Sequence, residues 1–389
     1  MPSAIEHIEI PRMPVMEAIV DILESEGVRY LFGIPGAGIL PFYQALKNSK
    51  KIKHILMRHE EGATHAADGY ARASGEVGVC VGTSGPAGTN MVTGLYTAKV
   101  DSIPIIAITG QNIRAQLGKE AFQAVEIADI VKLVTKKSYC VKETAQLPQV
   151  FREAFRIARE GRPGPVLIDL PLDVQKGEVS YDHESDSPLS VLKPSPNLKK
   201  IKKAVNMILE AENPIFLMGG GILLVNACKE FIELAEYLSV PMVTTLMGKG
   251  GIRPDHPLYA GQVGVYVDVP PGNKYFLESD LVLGVGCRFS DRHTGAIDVY
   301  TKGKKFIHVN IKPDHIGRII PADLAIVADA KLTLQAMYKV VKRITTRRIP
   351  SQRVKQIPEL RKQMTRRMDF NNVPIKPQQV FKEINNYFD

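Results

Sequence analysis

The chain predicts an α/β fold made of two doubly wound, mainly parallel-sheet domains. Three observations carry that reading. Short, continuous, β-branched apolar runs recur along the whole length. Amphipathic segments of helical period separate them. Glycine-bearing turns follow several of the runs on their carboxyl side. Continuous apolar runs mark strands covered on both faces, as parallel strands are. Their regular alternation with helices is the pattern of doubly wound sheets.

Taken in order, strands are expected at 77–82, 104–110, 165–171, 214–219, 240–246, 281–286, 306–311 and 325–329. Shorter apolar runs precede them at Tyr30–Phe32 and 52–57. Residues 150–159 and 228–238 read as amphipathic helices. The rhythm breaks at 181–197, where Asp182, Glu184, Asp186, Pro188, Pro194 and Pro196 stand among serines. That composition marks a linker between an N-terminal domain at 12–180 and a central domain at 198–345. Beyond Val341 the strands stop and a basic helical connector runs to about Met368. A proline-led helix at 377–387 follows. Residues 346–389 are therefore expected to be a connector and the start of a further domain that the sequence does not contain.

With 389 residues, 44% hydrophobic and 23% charged, the composition is that of a globular protein with more than one core. No run approaches the ~18 apolar residues of a membrane span. Residues 1–13 include Glu6, Glu9 and Pro11 and have no apolar signal region, so a cytoplasmic protein is expected. Cys80, Cys140, Cys228 and Cys287 are far apart and form no CxxC pair; they read as reduced thiols, with no metal site. The net charge of +9 is concentrated at Lys199, Lys200, Lys202 and Lys203 and between Lys342 and Arg367. Few aromatics and no nucleic-acid motif accompany it, so solvated helix faces are expected, with no nucleic-acid or membrane partner.

The chemistry-bearing stretch is Arg58-His59-Glu60-Glu61-Gly62, at the junction of a short apolar run and an alanine-rich helix. A carboxylate held there can be rigid and partly desolvated, which suits proton transfer. The bland alternative is a solvated Glu-Glu pair favoured by the helix dipole. Three glycine-bearing segments stand at strand ends in the same domain: Gly33 to Gly38, Thr83 to Asn90, and Thr109-Gly110-Gln111. Carboxyl ends of parallel strands are where open α/β sheets bind ligands. In the central domain Gly219-Gly220-Gly221, Thr245-Leu246-Met247 and Gly286 to Arg292 stand at further strand ends and suit a phosphate-bearing ligand. His59 and His65 are six residues apart, so this is no HExxH zinc site, and no GxSxG elbow is present.

These motifs resemble those of the thiamine-diphosphate-dependent carboligases, the group of the acetolactate synthase catalytic subunit and glyoxylate carboligase. The resemblance runs from about Met16 to the end. It rests on Phe32-Gly33-Ile34-Pro35-Gly36, Arg58-His59-Glu60, Gly82-Thr83-Ser84-Gly85-Pro86, Asp101-Ser102-Ile103-Pro104, Ile108-Thr109-Gly110-Gln111, Phe122-Gln123, Gly161 to Pro165 and Arg288-Phe289. It implies a pyrimidine-binding domain, a central domain that often holds FAD, and a diphosphate-binding domain. It implies decarboxylating carboligation of 2-oxo acids, with Glu60 hydrogen-bonded to N1′ of the cofactor's aminopyrimidine. Pro35, Gly36, Thr83, Pro86, Asn90 and Gln123 would lie near the pyrimidine and substrate, and Phe122 would line the substrate pocket. Arg162, Gly219, Gly220, Thr245, Leu246, Met247, Gly264, Arg288, Asp291, Arg292 and Asp329 would touch FAD. A homodimer or tetramer is implied, because the family's active site joins the pyrimidine domain of one subunit to the diphosphate domain of another.

Two departures stand out. The segments at 287–295, 316–318 and 372–377 look closest to glyoxylate carboligase, yet the resemblance places valine in that enzyme where this chain has Glu60. The family's GDG…N segment, which holds Mg²⁺ and the diphosphate, is absent, so Mg²⁺ is expected on a complementary domain or chain and the fragment alone is expected to be inactive. A non-catalytic nucleotide- or FAD-binding module derived from such an enzyme is the alternative.

Overall fold

A computed structural model describes residues 11–265 and 270–388. Most of the 1–13 segment therefore lies outside the described residues. The chain forms two compact units, Met1–Leu192 and Lys193–Asp389.

The first unit contains β1 (Arg12–Pro14), β2 (Tyr30–Gly33), β3 (Lys53–Leu56), β4 (Gly78–Gly82), β5 (Ile105–Gln111), β6 (Lys137–Cys140), β7 (Val166–Pro171) and β8 (Glu178–Ser180). Six of them form a sheet of order β3-β2-β4-β5-β7-β6, in which every pair is parallel. A small antiparallel pair, β1 with β8, stands apart. The second unit holds β9 (Pro214–Met218), β10 (Met242–Thr244), β11 (Tyr259–Gln262), β12 (Leu281–Val285), β13 (Lys305–Asn310) and β14 (Leu324–Val327). They form a parallel sheet of order β11-β10-β9-β12-β13-β14. The doubly wound α/β class is as expected. The central strands β4, β5, β7, β9 and β12 are buried at every position, which explains their continuous apolar sequences.

The strands absent from the sequence reading are β1, β8, β6 and β11. The last two are sheet edges, where one flank is unpaired and the residues are mixed, as Lys137-Ser138-Tyr139-Cys140 shows. Residues 181–197 contain no helix or strand, but they are not loosely held throughout. Asp186 accepts hydrogen bonds from Arg152 Nε (2.8 Å) and Tyr181 Oη (2.8 Å). Arg152 also donates to Glu26 at 2.8 Å, a pair buried on both sides. The stretch after Val341 is helical in part, as expected: the helix Ala330–Ile344 ends and the short helices Gln352–Lys355 and Ile357–Gln363 follow. Val354 and Ile357 are buried in the core of the second unit. The basic residues Lys199, Lys200, Lys202 and Lys203 are exposed on the helix Leu198–Glu210, whose Ile201, Ala204, Val205 and Ile208 face inward.

The helix Glu60–Ser74 carries the candidate carboxylate on its first turn. It starts at an N-cap His59, whose Nδ1 accepts from Glu61 N–H at 3.2 Å, and ends at left-handed Gly75 (φ 77°). Ala63, Ala67 and Ala71 form its buried stripe. The helix lies so close to the sheet that a Cβ on Gly78 would sit 2.1 Å from the Ala67 carbonyl oxygen. Nearer its start, a Cβ on Gly94 would sit 2.5 Å from Thr64 Cβ. Gly78→Ala is expected to lower stability by about 1–3 kcal/mol through overpacking, read as a lower denaturant midpoint. An unchanged midpoint would show that the helix can shift at no cost.

Candidate active site at the switch point of the first sheet

The chain leaves β2, adds β3 on one side, then crosses to place β4 on the other side of β2. The crevice between the carboxyl ends of β2 and β4 is therefore the topological switch point, where open sheets receive ligands. The segments Gly33 to Gly38 and Thr83 to Asn90 leave from those two strand ends. They touch: Gly38 N–H donates to Thr83 Oγ1 at 3.1 Å. A Cβ on Gly36 would lie 2.6 Å from Thr83 Cβ, so glycine is what lets the two loops meet. Pro35 and Pro86 are exposed at this mouth, while Gly36 and Thr83 are half-buried.

Glu60 enters from β3, at the first turn of the helix Glu60–Ser74. It is half-buried, and its Cγ lies 3.4 Å from where Gly82 would carry a Cβ. Asn90 Nδ2 donates to Glu60 Oε2 at 2.9 Å. Glu60, Gly82, Thr83 and Asn90 are thus brought to one place from two strand ends, those of β3 and β4. Glu61 faces elsewhere, with an oxygen 3.8 Å from His65 Nε2. A carboxylate with one oxygen held by an amide, beside glycine backbone and exposed proline rims, fits a flat heteroaromatic ring bearing a protonatable nitrogen.

Phe122 is 85% exposed, and Gln123 is exposed with φ 53°. Gln123 reaches the same loops through its backbone: a Cβ on Gly85 would meet the Gln123 carbonyl oxygen at 2.7 Å. The reading of Thr109-Gly110-Gln111 as an open ligand loop needs correction. All three belong to β5 and are buried. Gly110 is glycine because the Gly38 carbonyl passes 2.3 Å from its Cβ position. Thr109 Oγ1 and Gln111 Nε2 instead donate to Asp169, at 2.7 and 2.9 Å. Asp169 was overlooked in the sequence. It is 1% exposed on β7, and burial pushes its carboxyl up to about 7. The available signal was a lone acid within the apolar run Val166–Pro171.

In the second sheet the switch point lies between β9 and β12. Gly219 and Gly220 follow β9, and Gly286, with φ 65°, follows β12. A Cβ on Gly219 would lie 2.3 Å from the Gly286 carbonyl oxygen, so this crevice is floored by bare backbone. Thr245, Leu246 and Met247 follow β10, with Leu246 67% exposed. Gly264 follows β11; Arg288, Asp291 and Arg292 follow β12. All these stand at carboxyl ends of one sheet, and the glycine floor fits a dinucleotide's close approach. Asp329 follows β14 but is 1% exposed, and its carboxylate caps the helix Ala330–Ile344 through Leu332 N–H at 2.9 Å. Arg162 belongs to the first unit, where it donates to Ser102 Oγ and the Val100 carbonyl, each at 2.7 Å, at the end of the helix Val92–Asp101. Among the described residues no helix is long and apolar enough to cross a membrane.

Comparison with known proteins identifies the family of both units. Residues 13–133 match the model of the thiamine pyrophosphate enzyme N-terminal TPP binding domain, and residues 201–337 match the central domain of the same enzymes. The chain is 46% identical over 381 residues to glyoxylate carboligase of Escherichia coli O157:H7, a match covering 97% of this chain and 64% of that protein. It is 45% identical over 381 residues to a probable acetolactate synthase large subunit of Methanococcus aeolicus, covering 95% and 63% respectively. The acetolactate synthase large subunit of Corynebacterium glutamicum is 41% identical over 333 residues, or 85% of this chain and 53% of that one. The chain thus spans somewhat under two thirds of the length of these relatives. By fold, switch-point glycines and sequence, the chain belongs to the thiamine pyrophosphate enzymes related to acetolactate synthase and glyoxylate carboligase and carries their N-terminal and central domains.

Proposed function

We propose that this chain serves thiamine-diphosphate-dependent, decarboxylating carboligation of small 2-oxo acids, with pyruvate or glyoxylate as donor. The observation that carries the reading is the Glu60 carboxylate held by Asn90 at the β2–β4 switch point. The bound cofactor would supply the electron sink. The chain's own part is proton placement and orientation. Asn90 fixes Glu60 Oε2, and among the described residues Oε1 has no hydrogen bond, so as a carboxyl it could share its proton with N1′ of a bound aminopyrimidine. Thr83 and Gly36 would border the ring, Pro35 and Pro86 would limit the motion of the loop mouths, and Phe122 and Gln123 would meet the substrate. We place the diphosphate and Mg²⁺ on a complementary domain or chain, within a homodimer or tetramer in the cytoplasm. FAD is proposed at the β9–β12 crevice, on the residues at the carboxyl ends of that sheet.

Three outcomes test this. Assayed with Mg²⁺ and thiamine diphosphate, after addition of a complementary diphosphate-binding domain, the protein should form acetolactate from pyruvate or tartronate semialdehyde from glyoxylate; neither product from either acid would defeat the reading. Glu60→Gln should slow exchange of the bound cofactor's C2 proton by a factor on the order of 10²–10⁴, followed by NMR, with an unchanged rate removing Glu60 from the relay. The purified chain should show flavin absorbance that Gly220→Val discharges, since a Cβ there would sit 3.0 Å from Met247 Cβ. A colourless wild type that takes up no added FAD would remove the flavin and leave the thiamine reading intact.

A further inference from the structure

The loop that carries Phe122 and Gln123 has almost no regular structure of its own between the end of β5 and Glu126. It is held instead by two consecutive side chains at the end of β5. Gln111 is 2% exposed, and its amide is fully engaged. Nε2 donates to the Val125 carbonyl at 2.8 Å and to Asp169 Oδ2 at 2.9 Å, while Oε1 accepts from Asn112 N–H at 2.9 Å. Asn112 Nδ2 then donates to the Phe122 carbonyl at 3.1 Å. One side chain ties the root of the loop and the next ties its tip. Asp169 is the fixed point beneath both. Its other oxygen accepts from Thr109 Oγ1 at 2.7 Å, and neither residue has appreciable exposure.

We propose that Gln111 is a positioning residue, which, anchored on Asp169, fixes where the Phe122–Gln123 loop stands over the Glu60 crevice. The role follows from donor count. A primary amide nitrogen has two hydrogens. One goes to the buried carboxyl and the other to the loop carbonyl, so one planar group transmits the rigidity of β7 to a segment outside the sheet. A residue serving only the core would need just the first bond. The energetic setting favours retention of both, because a buried amide or carbonyl left unpaired is costly. Gln123 needs such a hold, since it sits at positive φ with its backbone wedged against Gly85. The inference rests on the proposed function for what the loop meets, but not for how the loop is held.

The test separates tether from core. In Gln111→Glu combined with Asp169→Asn, donor and acceptor exchange places: the core bond is remade, but no hydrogen remains for the Val125 carbonyl. Hydrogen exchange followed by mass spectrometry should show amides 112–126 exchanging at least tenfold faster than in the wild type, with β5 and β7 unchanged. Gln111→Leu should loosen both regions. Where the wild type turns over, the double variant should lose at least tenfold in kcat/KM for the 2-oxo acid with thiamine diphosphate affinity within twofold. Loop exchange that rises only in step with β5 and β7, or unaltered kcat/KM in an active enzyme, would overturn the proposal. A wild type without turnover after the complementary diphosphate-binding domain is added counts against the proposed function alone, and the exchange result then decides the tether.

Discussion

The close approach of the helix Glu60–Ser74 to β4 is the constraint on which the candidate site depends. Gly78 leaves room for the Ala67 carbonyl, and Gly94 leaves room for Thr64 nearer the start of the helix. A helix wedged between two bare backbone surfaces cannot slide or roll without losing contact on one of them. Its first residue is Glu60, so the same packing that seats the helix sets the carboxylate over Gly82. Two glycines in the core thereby determine the position of a charged group about two helical turns from the Ala67 contact with Gly78. The Asn90 hydrogen bond then selects an orientation within a location already fixed.

Both units repeat one physical solution with different chemistry. In each sheet the winding direction reverses beside its first strand, β2 or β9, and the crevice there is lined by glycines whose Cβ positions are occupied by neighbouring backbone or side-chain atoms. In the first unit a carboxylate and an amide stand at that crevice, which suits recognition of a ring nitrogen. In the second unit the glycine floor is joined by Thr245 at one strand end and Arg288 and Arg292 at another, which suits an extended, phosphate-bearing molecule. The fold fixes where ligands can approach, and the residues at the strand ends fix which ones.

How much of this was legible depended on whether a residue's role is local. Buried central strands announce themselves by unbroken apolar sequence, and Glu60 by its place between an apolar run and a helix. Edge strands β6 and β11 did not, because half their pairing is absent and polar residues are tolerated. Thr109-Gly110-Gln111 looked like a ligand loop because glycine beside polar residues has that appearance. Its glycine answers to the Gly38 backbone and its polar groups answer to Asp169, partners 58 or more residues away along the chain. Asp169 itself was invisible for the same reason: a carboxyl in an apolar strand acquires meaning only when Thr109 and Gln111 are seen to face it. Asp329 shows the converse, a residue assigned by motif to a ligand whose carboxylate is engaged as a helix cap.

Overall similarity does not choose between the two activities named among the relatives. Identities of 46% to a glyoxylate carboligase and 45% to a probable acetolactate synthase, each over 381 residues, differ by less than the weight of a handful of positions. Discrimination has to come from groups at the crevice. There the resemblance sets valine against glutamate, and an apolar side chain cannot accept the Asn90 amide or hold a proton at the ring nitrogen. Because Glu60 is already committed to Asn90 in this chain, the two residues form a unit: loss of the carboxylate would also strand the Asn90 donor. The pair, more than the percentage of identity, is the feature of this crevice that an apolar side chain at position 60 could not reproduce.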